Sequence, residues 1–185
     1  QTDYNNQQVV VTEAGGLFPL RSISGARVRG FEGDITARPI DRVTLGVGVG
    51  VLDPKYSDDA TVTGTSGVDV SGNQISNAAK FSLNLSGDFV LAEINDATVD
   101  LSLDGAYTSR VYYDIAQTRT LSQPGYWVAN GRIAYNAKRF AVGAGVKNIF
   151  NEKYFTYGLG LRFAGLDFLI RGTPRTYSAD VTFRF

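Results

Sequence analysis

Period-two alternation of apolar and polar residues recurs along the chain, and it limits the folds available more than any other feature. At the C-terminus Tyr177, Ala179, Val181, Phe183 and Phe185 share one face, opposed by Ser178, Asp180, Thr182 and Arg184. Successive side chains of a strand point to opposite faces, so this is a two-faced strand. The same pattern runs through Phe31–Ala37 and through Val43–Val51, where Thr44, Gly46, Gly48 and Gly50 oppose the valines. It returns in Phe81–Leu91, in Val99–Val111, in Trp127–Tyr135 and in Phe140–Val146. A soluble protein would have to cover every one of these apolar rows. A transmembrane barrel shows them to lipid and turns the polar rows toward a wet lumen.

The connections sort by length. Pro39–Asp41, Glu93–Asp96 and Asn136–Lys138 are short turns. Glu13–Gly25, Asp53–Asn77, Tyr113–Gly125 and Ile149–Arg175 are longer and read as loops, and they alternate with the short ones. Short turns at one end and long loops at the other mark an outer-membrane barrel; a β-sandwich has no reason to sort loops by end. Gln8–Thr12 is a β-branched run read as a strand remnant, and Leu161–Ile170 reads as a hairpin around Gly165. Aromatics near strand ends (Tyr112, Tyr113, Tyr126, Trp127, Tyr135, Phe140, Tyr177, Phe183 and Phe185) suit interfacial girdles. With Phe185 at the periplasmic side, the four long loops are expected to be extracellular.

Composition closes off several chemistries. The 185 residues contain neither His nor Cys. That excludes imidazole-dependent triads, thiolate nucleophiles, disulfides and imidazole- or thiolate-ligated metals from this chain alone. Net charge is zero, so no basic surface argues for nucleic acid. No apolar run reaches the roughly 18–20 residues of a membrane helix, and the mean hydropathy is −0.09. Barrel strands hide their hydrophobicity in alternation, so neither fact bears on a β-barrel. The chain opens on Gln1 without a signal-peptide pattern, which is expected of a mature form or a piece of a longer chain.

Two segments carry a family resemblance. Val146–Phe155 reads VKNIFNEKYF, and Gly172–Phe185 reads GTPRTYSADVTFRF. Together they resemble the penultimate-strand motif and the Gly-x-Pro-Arg terminal strand of TonB-dependent outer-membrane receptors. GARVRGFEGDITARPIDRVTLGVGVG, from Gly25, is similar to a strand pair of that family. The resemblance spans essentially the whole chain. It implies an all-β fold: a transmembrane antiparallel β-barrel of roughly 22 strands, of which residues 1–185 supply about the last eight. The plug domain and TonB box lie N-terminal in the family and are absent from this sequence. The implied function is receptor-mediated active uptake of a siderophore-iron complex, cobalamin or a glycan, with no enzyme activity and no cofactor. The implied partners are outer-membrane lipid, the remaining barrel and plug, the TonB complex through the N-terminal region, and the barrel-insertion machinery through Phe185. The motif residues Asn148, Phe150, Asn151, Tyr154, Gly172, Pro174, Arg175 and Phe185 are expected to be structural. A self-contained barrel of about eight strands, with a structural or pore role, is the competing reading; it requires the first strand to pair with the last. A barrel enzyme is the third, and the absent His stands against its commonest forms.

Ligand candidates are the aromatic and cationic residues of the extracellular side: Tyr56, Tyr112, Tyr113, Tyr154, Tyr157, Arg162 and Arg171. Phenol rings and guanidinium groups suit anionic or aromatic iron chelates. The plainer reading of the same residues is an aromatic girdle with soluble loops. Gly46, Gly48 and Gly50 have phosphate-loop residue types but sit inside a strand with no following helix or Lys, so they read as lumen-facing small residues. Asp58 and Asp59 lack calcium-loop spacing and read as solvated charge.

Overall fold

A computed structural model describes residues 1–11, 13, 16–62, 69–161 and 164–185. Fourteen strands occur among them, in chain order: β1 (Thr2–Tyr4), β2 (Gln7–Val10), β3 (Leu20–Ile23), β4 (Ala26–Ile40), β5 (Val43–Tyr56), β6 (Phe81–Ile94), β7 (Ala97–Thr108), β8 (Val111–Tyr112), β9 (Ser122–Gln123), β10 (Tyr126–Asn136), β11 (Phe140–Lys147), β12 (Phe155–Leu161), β13 (Leu166–Arg171) and β14 (Thr176–Phe183). Eight form one antiparallel sheet in the order β1-β4-β5-β6-β7-β10-β11-β14. The rest make two-stranded ribbons, β2–β3, β8–β9 and β12–β13, within the long connections.

The register carries each alternating strand onto its neighbour in phase. Ile35 pairs with Val47, Val47 with Leu85, Leu85 with Gly105 and Gly105 with Ala129. The row beside it runs Thr36, Gly46, Ser86, Asp104 and Asn130. One face of the sheet is therefore apolar throughout and the other polar. The apolar face is uncovered: Phe31, Ile35, Val181 and Phe183 are each 59–71% exposed. Aromatic clusters mark its two ends. Phe81, Tyr107 and Trp127 meet at centroid distances of 5.9 and 5.2 Å near the long loops, and Tyr135 meets Phe140 at 5.8 Å near the short turns.

The short turns sit at Asp41–Arg42, Asn95–Asp96 and Ala137–Arg139, all at one end. Bulges between Ala37 and Ile40 and between Val90 and Ala92 flank two of them. The second bulge takes Leu91 out of the apolar row that alternation assigns to it, because a bulge adds one unpaired residue and shifts the phase. The strand remnant read at Gln8–Thr12 appears as β2, which folds back on β3, while the sheet's first strand is β1; Thr12 lies outside the described residues. Two further expectations need correction. Val111 lies in β8 rather than continuing β7, and Tyr112 and Tyr113 belong to that loop ribbon rather than to a girdle. Tyr126 is on the polar face, in phase with Thr108 and Ser82.

The sheet does not close. β1 pairs with β4 and β14 with β11, and no pairing joins β1 to β14. β1 reaches only Ala26–Val28, so β4 from Arg29 onward is an open edge among the described residues.

Candidate functional site at the long-loop end

The long connections fold together into a cap. Its core is Ile23, Ala26, Tyr56, Ala60, Val62, Val70, Ile75 and Ile115, all under 9% exposed. Ala26 pairs with Tyr56, and Val28 with Pro54. These positions share the phase of Glu32 and Asp34, so the cap packs inward over the polar face of the sheet. Their alternate neighbours Arg27, Arg29, Asp53 and Lys55 lie on the apolar side. Beyond the Phe31–Val51 pair the two faces of this hairpin thus exchange character.

Backbone and amide hydrogen bonds stitch one loop to the next. Ser24 N donates to Thr61 O (3.1 Å) and Asn77 N to Tyr112 O (2.8 Å). The Asn73 amide donates to Ile115 O (3.0 Å), and the Gln74 amide to Arg110 O (3.1 Å). The last loop joins through Tyr113, whose hydroxyl donates to Phe155 O (2.5 Å), through Gln123 Oε1, which accepts Phe155 N (2.9 Å), and through the Thr120 hydroxyl on Asp167 (2.8 Å).

The two sequence motifs meet in a clasp beneath that last loop. Asn148 is 2% exposed. Its amide donates to Glu152 O (2.9 Å) and Thr173 O (3.1 Å), its Oδ1 accepts Glu152 N (2.8 Å), and its backbone N donates to Asn130 Oδ1 (2.9 Å). Asn151 Oδ1 accepts Arg175 N (3.2 Å). Asn148 and Asn151 both have positive φ, 51° and 53°, a conformation Asn adopts more readily than other non-glycine residues. The Tyr154 ring stacks on Tyr126 at 4.6 Å and lies over Gly172, where a Cβ would fall inside the ring. The motif spacing therefore places one asparagine to bind both entry and exit of the loop, and one glycine to admit a ring. Phe150 (74% exposed), Pro174 and Phe185 project outward.

The ligand candidates separate. Tyr56 is 1% exposed, its hydroxyl a buried neighbour of Ser76 Oγ outside hydrogen-bond geometry; it supports the cap and presents no surface. Tyr112, Tyr113 and Tyr154 are half-buried in the cap, while Tyr157 and Arg171 are exposed on β12 and β13. Arg162 lies outside the described residues. Burial, with the Tyr126 phenol nearby, pushes the Tyr113 phenol up from its ordinary value, so it stays a hydrogen-bond donor at neutral pH. Gln123 and Asn130 have no signal of their own in the sequence; both are found only through the loop exits they hold. Among the described residues no group of acidic side chains has metal-binding geometry.

β12 and β13 form the hairpin expected around Gly165 (φ 68°). One face carries Gly158, which packs on the Tyr113 ring, and Asp167. The other carries Tyr157, Leu159, Phe168 and Ile170.

An open, two-faced antiparallel sheet with its long loops drawn together at one end is the wall of a large barrel. The family model described as TonB dependent receptor-like, β-barrel matches residues 1–149, and the chain belongs to that family. Solved structures agree on the fold. The ferric yersiniabactin uptake receptor of Yersinia pestis superposes with a TM-score of 0.77 at 16% identity, over 90% of this chain and 26% of that one. The ferric preacinetobactin receptor of Acinetobacter baumannii gives 0.69 at 24% identity, over 96% and 25%. The ferric-catecholate import receptor of E. coli K12 gives 0.66 at 17%, over 99% and 24%. The chain spans about a quarter of the receptors it matches. Family and neighbours are receptors and transporters.

Proposed function

We propose that this chain is part of the barrel wall of a TonB-dependent receptor that imports a ferric chelate across a bacterial outer membrane. The observation that carries this reading is the open sheet itself. Its apolar face is uncovered along its length, and its β14 edge and its β4 edge from Arg29 onward are unpaired among the described residues. A wall of this kind is stable only with lipid on one side, a filled lumen on the other and further strands at both edges. The same openness disfavours a self-contained eight-stranded barrel, which needs β1 on β14.

In this reading the short turns and Phe185 face the periplasm, and Phe185 is the handle for the barrel-insertion machinery. The plug fills the space against the polar face, and TonB engages the N-terminal region of the whole receptor. The proposed cargo contacts are Tyr112, Tyr113, Tyr154, Tyr157, Arg162 and Arg171, whose phenols and guanidinium groups suit a catecholate or hydroxamate iron complex. Siderophore and ferric citrate receptors among the structural neighbours favour that cargo class.

Deleting Ile149–Arg175 from the whole receptor is expected to abolish growth on a ferric chelate as sole iron source while the barrel still inserts. Unchanged uptake removes this loop from the mechanism. Residues 1–185 expressed alone are expected to give no heat-modifiable band on an electrophoresis gel. A compact, heat-shifting species would restore the small-barrel reading.

A further inference from the structure

We propose that a notch at Gly48, on the polar face of the wall, seats a cationic side chain of the plug, lysine or arginine, with Asp104 as its ion partner. The inference rests on the membrane placement proposed above and names the chemistry of the partner on that face. Gly46, Gly48 and Gly50 lie on the polar side of β5, paired with Ser86, Asn84 and Ser82 of β6. The three glycines are not equivalent. At Gly46 and Gly50 the Ser86 and Ser82 hydroxyls fill the space that a Cβ would take. At Gly48 that space is open, and the closest atom across the strands is Asn84 Cβ at 3.8 Å. A cleft of about 320 Å³ lies there, bounded by Asp34, Thr36, Asn84, Ser86 and Asp104. It has room for one long side chain, and its walls present oxygen acceptors.

Charge selects a cation. β6 and β7 each have a paired neighbour on both sides, so their polar rows are bordered by this chain's own strands. Neither strand contains Lys or Arg. Their polar rows carry Asp88, Asp100 and Asp104, which accept from neutral donors. Ser102 donates to Asp88 (2.7 Å), Thr98 and Asn136 to Asp100 (3.0 and 2.7 Å), and Asn130 to Asp104 (2.6 Å). Glu93, near the end of β6, is held by Arg42 at 3.1 Å. Arg132, on the adjoining strand β10, reaches the other way, across Gly143 to Asp180 at 2.8 Å. Of the three aspartates only Asp104 borders the cleft, and its Oδ1 accepts no hydrogen bond among the described residues. In a filled lumen that carboxylate loses hydration with no cation to replace it. An ammonium or guanidinium entering over Gly48 supplies the missing charge, and Asn84 and Ser86 can accept its remaining N–H groups. The acidic rows set the sign of the partner, and the open glycine sets its position.

The test uses the whole receptor, with hydrogen exchange read by mass spectrometry and a heat-modifiable band confirming that each variant's barrel has assembled. Asp104→Asn should speed exchange about tenfold in a plug peptide that contains Lys or Arg, and leave the amides of residues 81–108 unchanged. Asp104→Glu should restore the wild-type rate. Gly48→Leu fills the notch and keeps every carboxylate, and should act like Asp104→Asn. Asp88→Asn, one row below and outside the cleft, should leave the plug as in the wild type. Unchanged plug exchange in assembled Asp104→Asn overturns the assignment, as does an equal increase in Asp88→Asn, which would place the attraction in the whole face. A receptor that shows the expected pattern yet takes up no ferric chelate supports the notch and counts against the import reading alone.

Discussion

The lower and upper parts of the β4–β5 hairpin share one register and reverse one rule. From Ile40 up to Phe31 the apolar side chains point outward and the polar ones inward. From Gly30 up to Ala26 the charged residues Arg27, Arg29, Asp53 and Lys55 point outward, and Ala26, Val28 and Tyr56 turn inward beneath the cap. The backbone geometry does not change at Phe31; the surroundings do. Hydrocarbon favours apolar groups on the outside below that level. Above it, water and headgroups lie outside and packed loops inside, so the hydrophobic effect acts in the opposite direction. Alternation alone tells how many faces a strand has. What lies on each side decides which face is buried.

Substitutions at matched positions can break this contrast. The largest effect is expected in the cap: Ile23→Ala removes a fully buried side chain and should cost about 2–5 kcal/mol, seen as faster hydrogen exchange in residues 54–62 and 69–78 with wall amides unchanged. If wall amides accelerate equally, cap and wall are one cooperative unit. Val47→Arg, on the outer face of the lower part, should cost about 2–4 kcal/mol in bilayers, measured by urea unfolding of the receptor in vesicles. Asn84→Arg, one strand away on the polar face, should change stability far less, and equal losses would contradict the assignment of faces.

Asn148→Ala should come next. It orphans Glu152 O, Thr173 O and Glu152 N, at about 1–3 kcal/mol, and should loosen residues 149–175 to protease without lowering barrel assembly. Lys55→Gln is the small case. Its pair with Asp53 is about half exposed on both sides, so unfolding should shift by no more than about 1 kcal/mol.

Alkaline pH probes the cap from another side. The Tyr113 phenol has a raised pKa in the folded chain. Its contribution is therefore complete below the unfolded-state value and is lost as pH rises through the folded one. Near-ultraviolet circular dichroism of the receptor should show the last loop loosening above the ordinary tyrosine range, and Tyr113→Phe should remove that step. A step that persists in Tyr113→Phe would move its cause elsewhere.

Much of the wall was legible because a strand's period is two and each face has one neighbour. The rows through Val43–Val51 and Phe81–Phe89 appear in the sheet in phase, as does the sorting of turns from loops. Leu91 departs because a bulge adds a residue that no side-chain pattern announces. In the site, the paired motifs pointed to Asn148 and Gly172, since residue type and spacing there are tied to backbone conformation. Tyr56 and Tyr126 were misplaced because tyrosine suits a girdle, a ligand site and a loop core alike. Their surroundings come from chain segments more than ten residues away, such as Val70 beside Tyr56 and Tyr154 beside Tyr126.

The sequence by itself determined a two-faced antiparallel wall with its long connections at one end, because period two and turn chemistry are local properties. Tertiary structure alone decided three things: the inversion of faces above Phe31, the core beneath a loop whose composition looks solvated, and the clasp by which Asn148 ties Glu152 to Thr173. Each depends on which distant segment supplies the missing contact, and a residue carries no record of its partner until the chain has folded.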